Sequence, residues 1–279
     1  PKHNKPNRII TNINGNPQSE MGFSWYTSDK FEDAKVWVSE SKNFKDAKTV
    51  DAKAKKVNSK YLERDKHGNI IFKDIAKNDE GEPIKNKDGK EKVNGYYTDK
   101  HASGPEWLSG DKHGKTDLIS EPEYTYKAQA TDLKPNTKYY YKVGSKSGKQ
   151  SQIGEFKTAG DKGDPFSFVQ YTDTQNAFWN ENVRNEAMFG ADTLKNAIKT
   201  AGDPSFALHT GDFVETAEVE DEWKDLYKQS RPSFMSLPVV ATAGNHDEYA
   251  LSEEDEKLLT KFNEHVNVPK ENDAINGGY

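Results

Sequence analysis

Pro238-Val239-Val240-Ala241-Thr242-Ala243-Gly244-Asn245-His246-Asp247 decides how the second half of this chain folds. Its apolar, β-branched start reads as a short buried strand. The run breaks at a glycine, which is followed by an amide, an imidazole and a carboxylate. The same plan occurs twice upstream. Phe166 to Tyr171 reads as a strand leading into Thr172-Asp173-Thr174-Gln175, and Phe206-Ala207-Leu208-His209 leads into Thr210-Gly211-Asp212. Helical stretches are expected between and after them. Asn185 to Thr200 offers Ala187, Phe189, Leu194, Ala197 and Ile198 for a buried face, and Ala217 to Gln229 and Ser252 to Phe262 complete the set. Strands alternating with helices predict a parallel αβ layer. Ligands of such a sheet bind outside the carboxyl ends of its strands, where all three polar clusters fall.

Upstream of the linker-like Ala159-Gly160-Asp161-Lys162-Gly163-Asp164-Pro165 the period changes to two. Arg8 to Ile13, Met21 to Thr27, Ala34 to Ser39, Tyr124 to Ala128, Tyr139 to Gly144 and Gly154 to Thr158 read as short strands separated by turn clusters such as Asn14-Gly15-Asn16-Pro17. That pattern predicts a β-sandwich. Residues 51 to 120 stand apart, rich in Lys, Asp, Gly and Asn, and read as a solvated hairpin insertion with a turn at Asp88-Gly89. Asn86, Asp88 and Glu91 fail the spacing of a calcium loop. The expected division is a sandwich over 1–160 and an αβ region over 161–279.

Composition narrows the classes. With 32% hydrophobic and 31% charged residues the chain is polar, but 11% aromatics argue against wholesale disorder. A net charge of −6 argues against nucleic acid as a partner. No cysteine is present, so disulfides, thiolate metal sites and cysteine nucleophiles are excluded. No apolar run approaches the roughly 20 residues of a membrane-spanning helix.

Carboxylate, amide and imidazole donors without thiolate suit Mn, Fe or Zn. Asp173, Gly211-Asp212 and Gly244-Asn245-His246-Asp247 resemble the first three motifs of the calcineurin-like metallophosphoesterases. The N-terminal region resembles the fibronectin type III-like domain of purple acid phosphatases, through Asn14 to Pro17, Phe23-Ser24-Trp25-Tyr26-Thr27, Leu133 to Gly144 and Phe156-Lys157-Thr158. The resemblance implies two metal ions about 3.5–4 Å apart. Asp173 would bind the first, Asp212 would bridge both and Asn245 would bind the second. His246 would contact the substrate phosphate, and Asp247 would orient His246. The implied reaction is hydrolysis of phosphate monoesters or diesters by a metal-bound hydroxide, on a phosphorylated small molecule or nucleotide.

The sequence departs from that pattern in three places. Glu215 stands where the family has an iron-binding tyrosine, so the purple iron–tyrosinate colour is not expected. Gln175 stands where tyrosine-less relatives have a histidine. The later lone histidine and the Gly-His-x-His motif have no counterpart, and His265 in Phe262-Asn263-Glu264-His265-Val266 does not fit them. Half of a site is therefore expected in these residues, with the chain stopping inside the domain. Phe178 and Trp179 are candidates for a substrate rim, and Asn180 and Arg184 for phosphate contact. His209 reads as a core or supporting residue, while His3, His67, His101 and His113 read as solvated. A secreted or cell-surface location follows from the resemblance, and the sandwich with its lysine-rich insertion offers a surface for cell-wall contact. The alternative is a cell-surface binding or adhesion protein with a vestigial metal site.

Overall fold

The computed structural model describes residues 3–98, 115–175, 186–248 and 259–269. Before the linker run β1 (Asn7–Asn12), β2 (Met21–Thr27), β3 (Ala34–Ser39), β4 (Lys48–Asp51), β5 (Lys53–Leu62), β6 (Ile71–Ile75), β7 (Val93–Thr98), β8 (Lys115–Thr116), β9 (Leu118–Ala130), β10 (Lys138–Ser145) and β11 (Gly154–Lys157). After it come β12 (Val169–Tyr171), α1 (Glu186–Ala201), β13 (Ala207–His209), α2 (Glu220–Gln229), α3 (Arg231–Phe234), β14 (Val239–Ala241) and α4 (Thr260–His265). A single 3-10 turn, His246–Glu248, follows β14.

The two expected layers share one sheet. Its order is β12-β13-β14-β1-β2-β9-β5. β12, β13 and β14 pair in parallel, β14 pairs in parallel with β1 at Asn12↔Val239, and from β1 outward the pairing is antiparallel. Asn12 seals the join: its Nδ2 donates to the Val239 carbonyl at 2.9 Å, and its Oδ1 accepts from the Asn267 N–H at 2.8 Å. A second sheet, β11-β10-β3-β4, closes the sandwich. Phe23, Trp25, Val36, Val38, Tyr126, Tyr141 and Phe156 fill the space between them, with Trp25 stacked on Tyr126 at 5.4 Å.

β2 is buried along its whole length because both of its faces are covered. Phe23 and Trp25 point into the sandwich core. On the other face Tyr26 stacks on His265 of α4 at 5.0 Å, and a Cβ at Gly22 would stand 3.0 Å from the Asn267 carbonyl. Small residues at Gly22 and Ser24 thus admit the segment that follows α4.

The polar stretch carries more regular structure than its composition suggests. β5 pairs with β9 from Lys53↔Lys127 to Leu62↔Leu118 and extends the large sheet. Only β6, β7 and β8 form a separate small sheet. Leu62, Ile70 and Phe72 pack there on Val219, just before α2. In α1, Ala187 and Leu194 are buried as expected, but Phe189 is 53% exposed. Most of the expected helix Ser252 to Phe262 lies outside the described residues, as do Phe178, Trp179, Asn180, Arg184, His101 and His113. No helix among the described residues is long and apolar enough to cross a membrane.

Candidate metal centre

The loops after β12, β13 and β14 meet at one edge of the parallel strands. Asp173 and Asp212 both adopt left-handed backbone, with φ of 56° and 53°. Aspartate tolerates that region better than most residues. The two turns touch, since the Asp173 N–H donates to the Gly211 carbonyl at 3.1 Å. Gly211 has φ 112° and lies against Gly244 so closely that a Cβ would collide with the Gly244 backbone. A Cβ at Gly244 would stand 2.5 Å from the Asp212 backbone nitrogen and nearer still to its Oδ1. Both glycines are required because two backbones and a carboxylate occupy the space of a side chain.

Polar contacts lock the loops together. The Asp212 Oδ1 accepts from the His246 N–H at 2.9 Å. Asp247 is fully buried, and its carboxylate accepts from the N–H groups of Phe213 (2.9 Å), Val214 (3.4 Å) and Gly244 (2.8 Å). Burial pushes its pKa up to about 6 while those donors pull the other way. The His246 Nδ1 lies 2.9 Å from the Glu215 carbonyl, so it carries the proton and donates. The Glu215 carboxylate is 3.6 Å from the same nitrogen. Glu215, in the position of the missing tyrosine, thus orients the imidazole.

His209 supports the centre from beneath. Its Nδ1 accepts from the Gly211 N–H at 3.1 Å, which leaves the proton on Nε2, 2.9 Å from the Thr174 hydroxyl. Thr174 then donates to the Phe213 carbonyl at 3.1 Å. Burial holds the His209 pKa down at about 3, so the ring is neutral. Thr174 is a member of this network that its residue type does not announce; position beside Asp173 was the only available signal.

Asp173 and Asn245 are exposed and Asp212 is half-buried. Among the described residues no three His, Asp or Glu side chains surround a common point. The candidate donors are instead two carboxylates and two amides, hard ligands of the kind that bind Mn, Fe and Zn through oxygen. Gln175 strengthens the fit, because its buried Oε1 has no hydrogen-bond partner among the described residues. An acceptor in that state carries a desolvation cost that a cation would relieve.

A sandwich whose sheet continues into a parallel αβ layer, with aspartate and Gly-Asn-His-Asp loops at the strand ends, is the layout that the sequence resemblance implies. Two family models match: "Purple acid Phosphatase, N-terminal domain" over residues 6–158 and "Calcineurin-like phosphoesterase" over residues 166–278. The first spans more than half of the chain, and the chain belongs to the family of the purple acid phosphatase N-terminal domain; the region behind it matches the calcineurin-like phosphoesterase model. Among solved structures, purple acid phosphatase PPD1 from yellow lupin (Lupinus luteus) seeds is 16% identical with a TM-score of 0.59. The match covers 96% of this chain and 42% of that one, a likeness of fold over less than half of the larger protein. A structure of PhoD is 11% identical with a TM-score of 0.45, covering 94% of this chain and 46% of that one. No curated protein matches the sequence.

Proposed function

We propose that the protein hydrolyses phosphate monoesters or diesters at a centre of two metal ions. The observation that carries this reading is the contact of the Asp173 and Asp212 turns, both left-handed and backed by the Gly211–Gly244 packing. Such a strained pair of carboxylate loops at a strand edge suits cation binding better than ordinary turn chemistry. Asp173 would hold one ion, Asp212 both and Asn245 the other, with the Gln175 Oε1 as a further oxygen donor. When bound, such ions neutralise phosphoryl oxygen charge and lower the pKa of water.

The chain's own residues supply orientation. Asp247 and His209 fix the two loops that carry Asp212 and Asn245. His246, whose Nδ1 is held by the Glu215 carbonyl, would present its imidazole to a phosphoryl oxygen as charge develops there. Phosphorylated small molecules or nucleotides are the proposed substrates, and Fe, Mn or Zn the proposed metals.

The test is hydrolysis of para-nitrophenyl phosphate by the longest natural form of the protein, supplied with Mn, Zn or Fe, beside Asp212→Asn. Metal-dependent turnover should fall on the order of a hundredfold or more in the variant. Absence of turnover in the natural form, with metal content equal in both proteins, would reject the hydrolase and favour a binding protein that keeps the fold.

A further inference from the structure

A cavity of about 200 Å³ opens at the other end of the large sheet. Its place follows from the register. Asn12, the last residue of β1, pairs with Val239, the first of β14, whereas the candidate metal centre follows the last residue of β14. The cavity is lined from the opposite end of β1, by His3, Lys5 and Asn7, together with Gln152, Lys224 of α2 and Arg231 at the start of α3.

Its charge is one-sided in a chain of net charge −6. Among the described residues the lining carries the basic side chains of Lys5, Lys224 and Arg231 and no carboxylate. Among the described residues, none of the three has an ion-pair partner within reach; Lys224 instead lies over the Tyr61 ring at 5.0 Å. Burial, then the charge of Arg8, lowers the Lys224 pKa against the opposing pull of Glu123, Asp221 and Glu220, while partial burial, then Lys224, lowers that of His3. Lys224 and Arg231 are half-buried and Lys5 exposed, and like charges gathered on one cavity are held at an electrostatic cost that an anion would offset. Gln152 adds a neutral amide at the rim.

We propose that this cavity binds a tetrahedral oxyanion of the phosphate class, either free or as the terminal group of a larger molecule. Arg231 offers the planar fork that matches two phosphate oxygens, and Lys5 and Lys224 act as point charges beside it. One water takes a share of roughly 30 Å³ in the liquid, so the cavity holds such an anion and a few waters. The site does not depend on the hydrolytic reading, because none of its residues belongs to the candidate metal centre.

Calorimetric titration with inorganic phosphate, on the whole chain stripped of metal with EDTA in about 0.15 M sodium chloride, tests this. Saturable binding is expected. It should weaken about tenfold or more in Arg231→Gln and in Lys224→Gln, and stay unchanged in Asp212→Asn. Should either cavity variant fail to fold, the exposed Lys5→Gln decides, and unchanged affinity there overturns the proposal. It is also overturned by no binding up to about 10 mM phosphate, by equal affinity in the cavity variants, or by loss confined to Asp212→Asn. A parallel titration with methylphosphonate, whose carbon–phosphorus bond resists hydrolysis, separates the sources. Equal binding supports a terminal group, and binding of phosphate alone supports the free anion.

Discussion

Gly244 carries a stronger constraint than any single donor at the centre. Its Cα faces the Asp212 turn, and a methyl group there would strike the Asp212 amide and carboxylate. Asp173 and Asp212 already hold left-handed backbone, at about 1–2 kcal/mol each. Gly244→Ala should therefore displace the Asp212 loop rather than the fold. We expect manganese or zinc affinity, measured by calorimetry, to fall about 10- to 100-fold with unchanged circular dichroism; retention of full affinity would disprove this account of the turn. Asp173, Asp212 and Gly244 to Asp247 were legible in the sequence because residue type and strand-end position coincide there. Thr174 was not, since a loop threonine has many uses and its bond to His209 appears only once the strands are paired.

At the level of elements, periodicity revealed the strands of both layers, yet it hid how they join. The parallel pairing of β1 with β14 links residues more than two hundred positions apart, and nothing in the pattern of either strand specifies it. Composition misled at residues 51–120, where the exposed Lys53, Lys55, Lys56 and Asn58 of β5 share the strand with buried Val57, Ser59 and Leu62. That segment is anchored to α2 through Asp221, whose Oδ2 accepts from the Leu62 N–H at 2.8 Å and whose Oδ1 meets Arg64 at 3.1 Å. Phe189 was misassigned for the opposite reason: helical spacing puts it beside Ala187 and Leu194, but no described element covers it. Removing the anchor by Asp221→Ala leaves the Leu62 amide without its acceptor. A loss of about 1–3 kcal/mol is expected, with hydrogen exchange rising first around residues 62–72. Uniform exchange across the chain would mean that the small sheet is not held through α2.

Across the whole molecule, the sandwich and the αβ layer are coupled by a buried charge network at their junction. Arg8 of β1 binds the Glu123 carboxylate of β9 at 2.8 Å and the Glu220 carboxylate of α2, and Glu220 in turn meets the His265 Nε2 at 2.7 Å. The His265 Nδ1 faces the Lys261 carbonyl at 2.5 Å. The His265 ring is thus held on both sides, by the Glu220 carboxylate and the Lys261 carbonyl. Breaking one member of a buried set leaves the others charged without a partner. Arg8→Met should cost about 3–5 kcal/mol, and because the large sheet is shared, urea should unfold the wild-type in one transition by tryptophan fluorescence and circular dichroism alike; two separate transitions would contradict the coupling. The network also sets a pH dependence. Burial pushes the Glu220 carboxyl up, but His265 and Arg8 outweigh it and hold its pKa at about 2, below its ordinary 4.5. The unfolded chain therefore binds the additional proton between these values, so stability supplied by Glu220 is complete above pH 4.5 and is lost as the pH falls through 2. Glu220→Gln lacks that titration. Its deficit against wild-type, measured by urea unfolding, should be largest near pH 7 and shrink as the pH drops from about 5 toward 2, whereas a deficit that stays constant over that range would place the stabilising charge elsewhere in the junction.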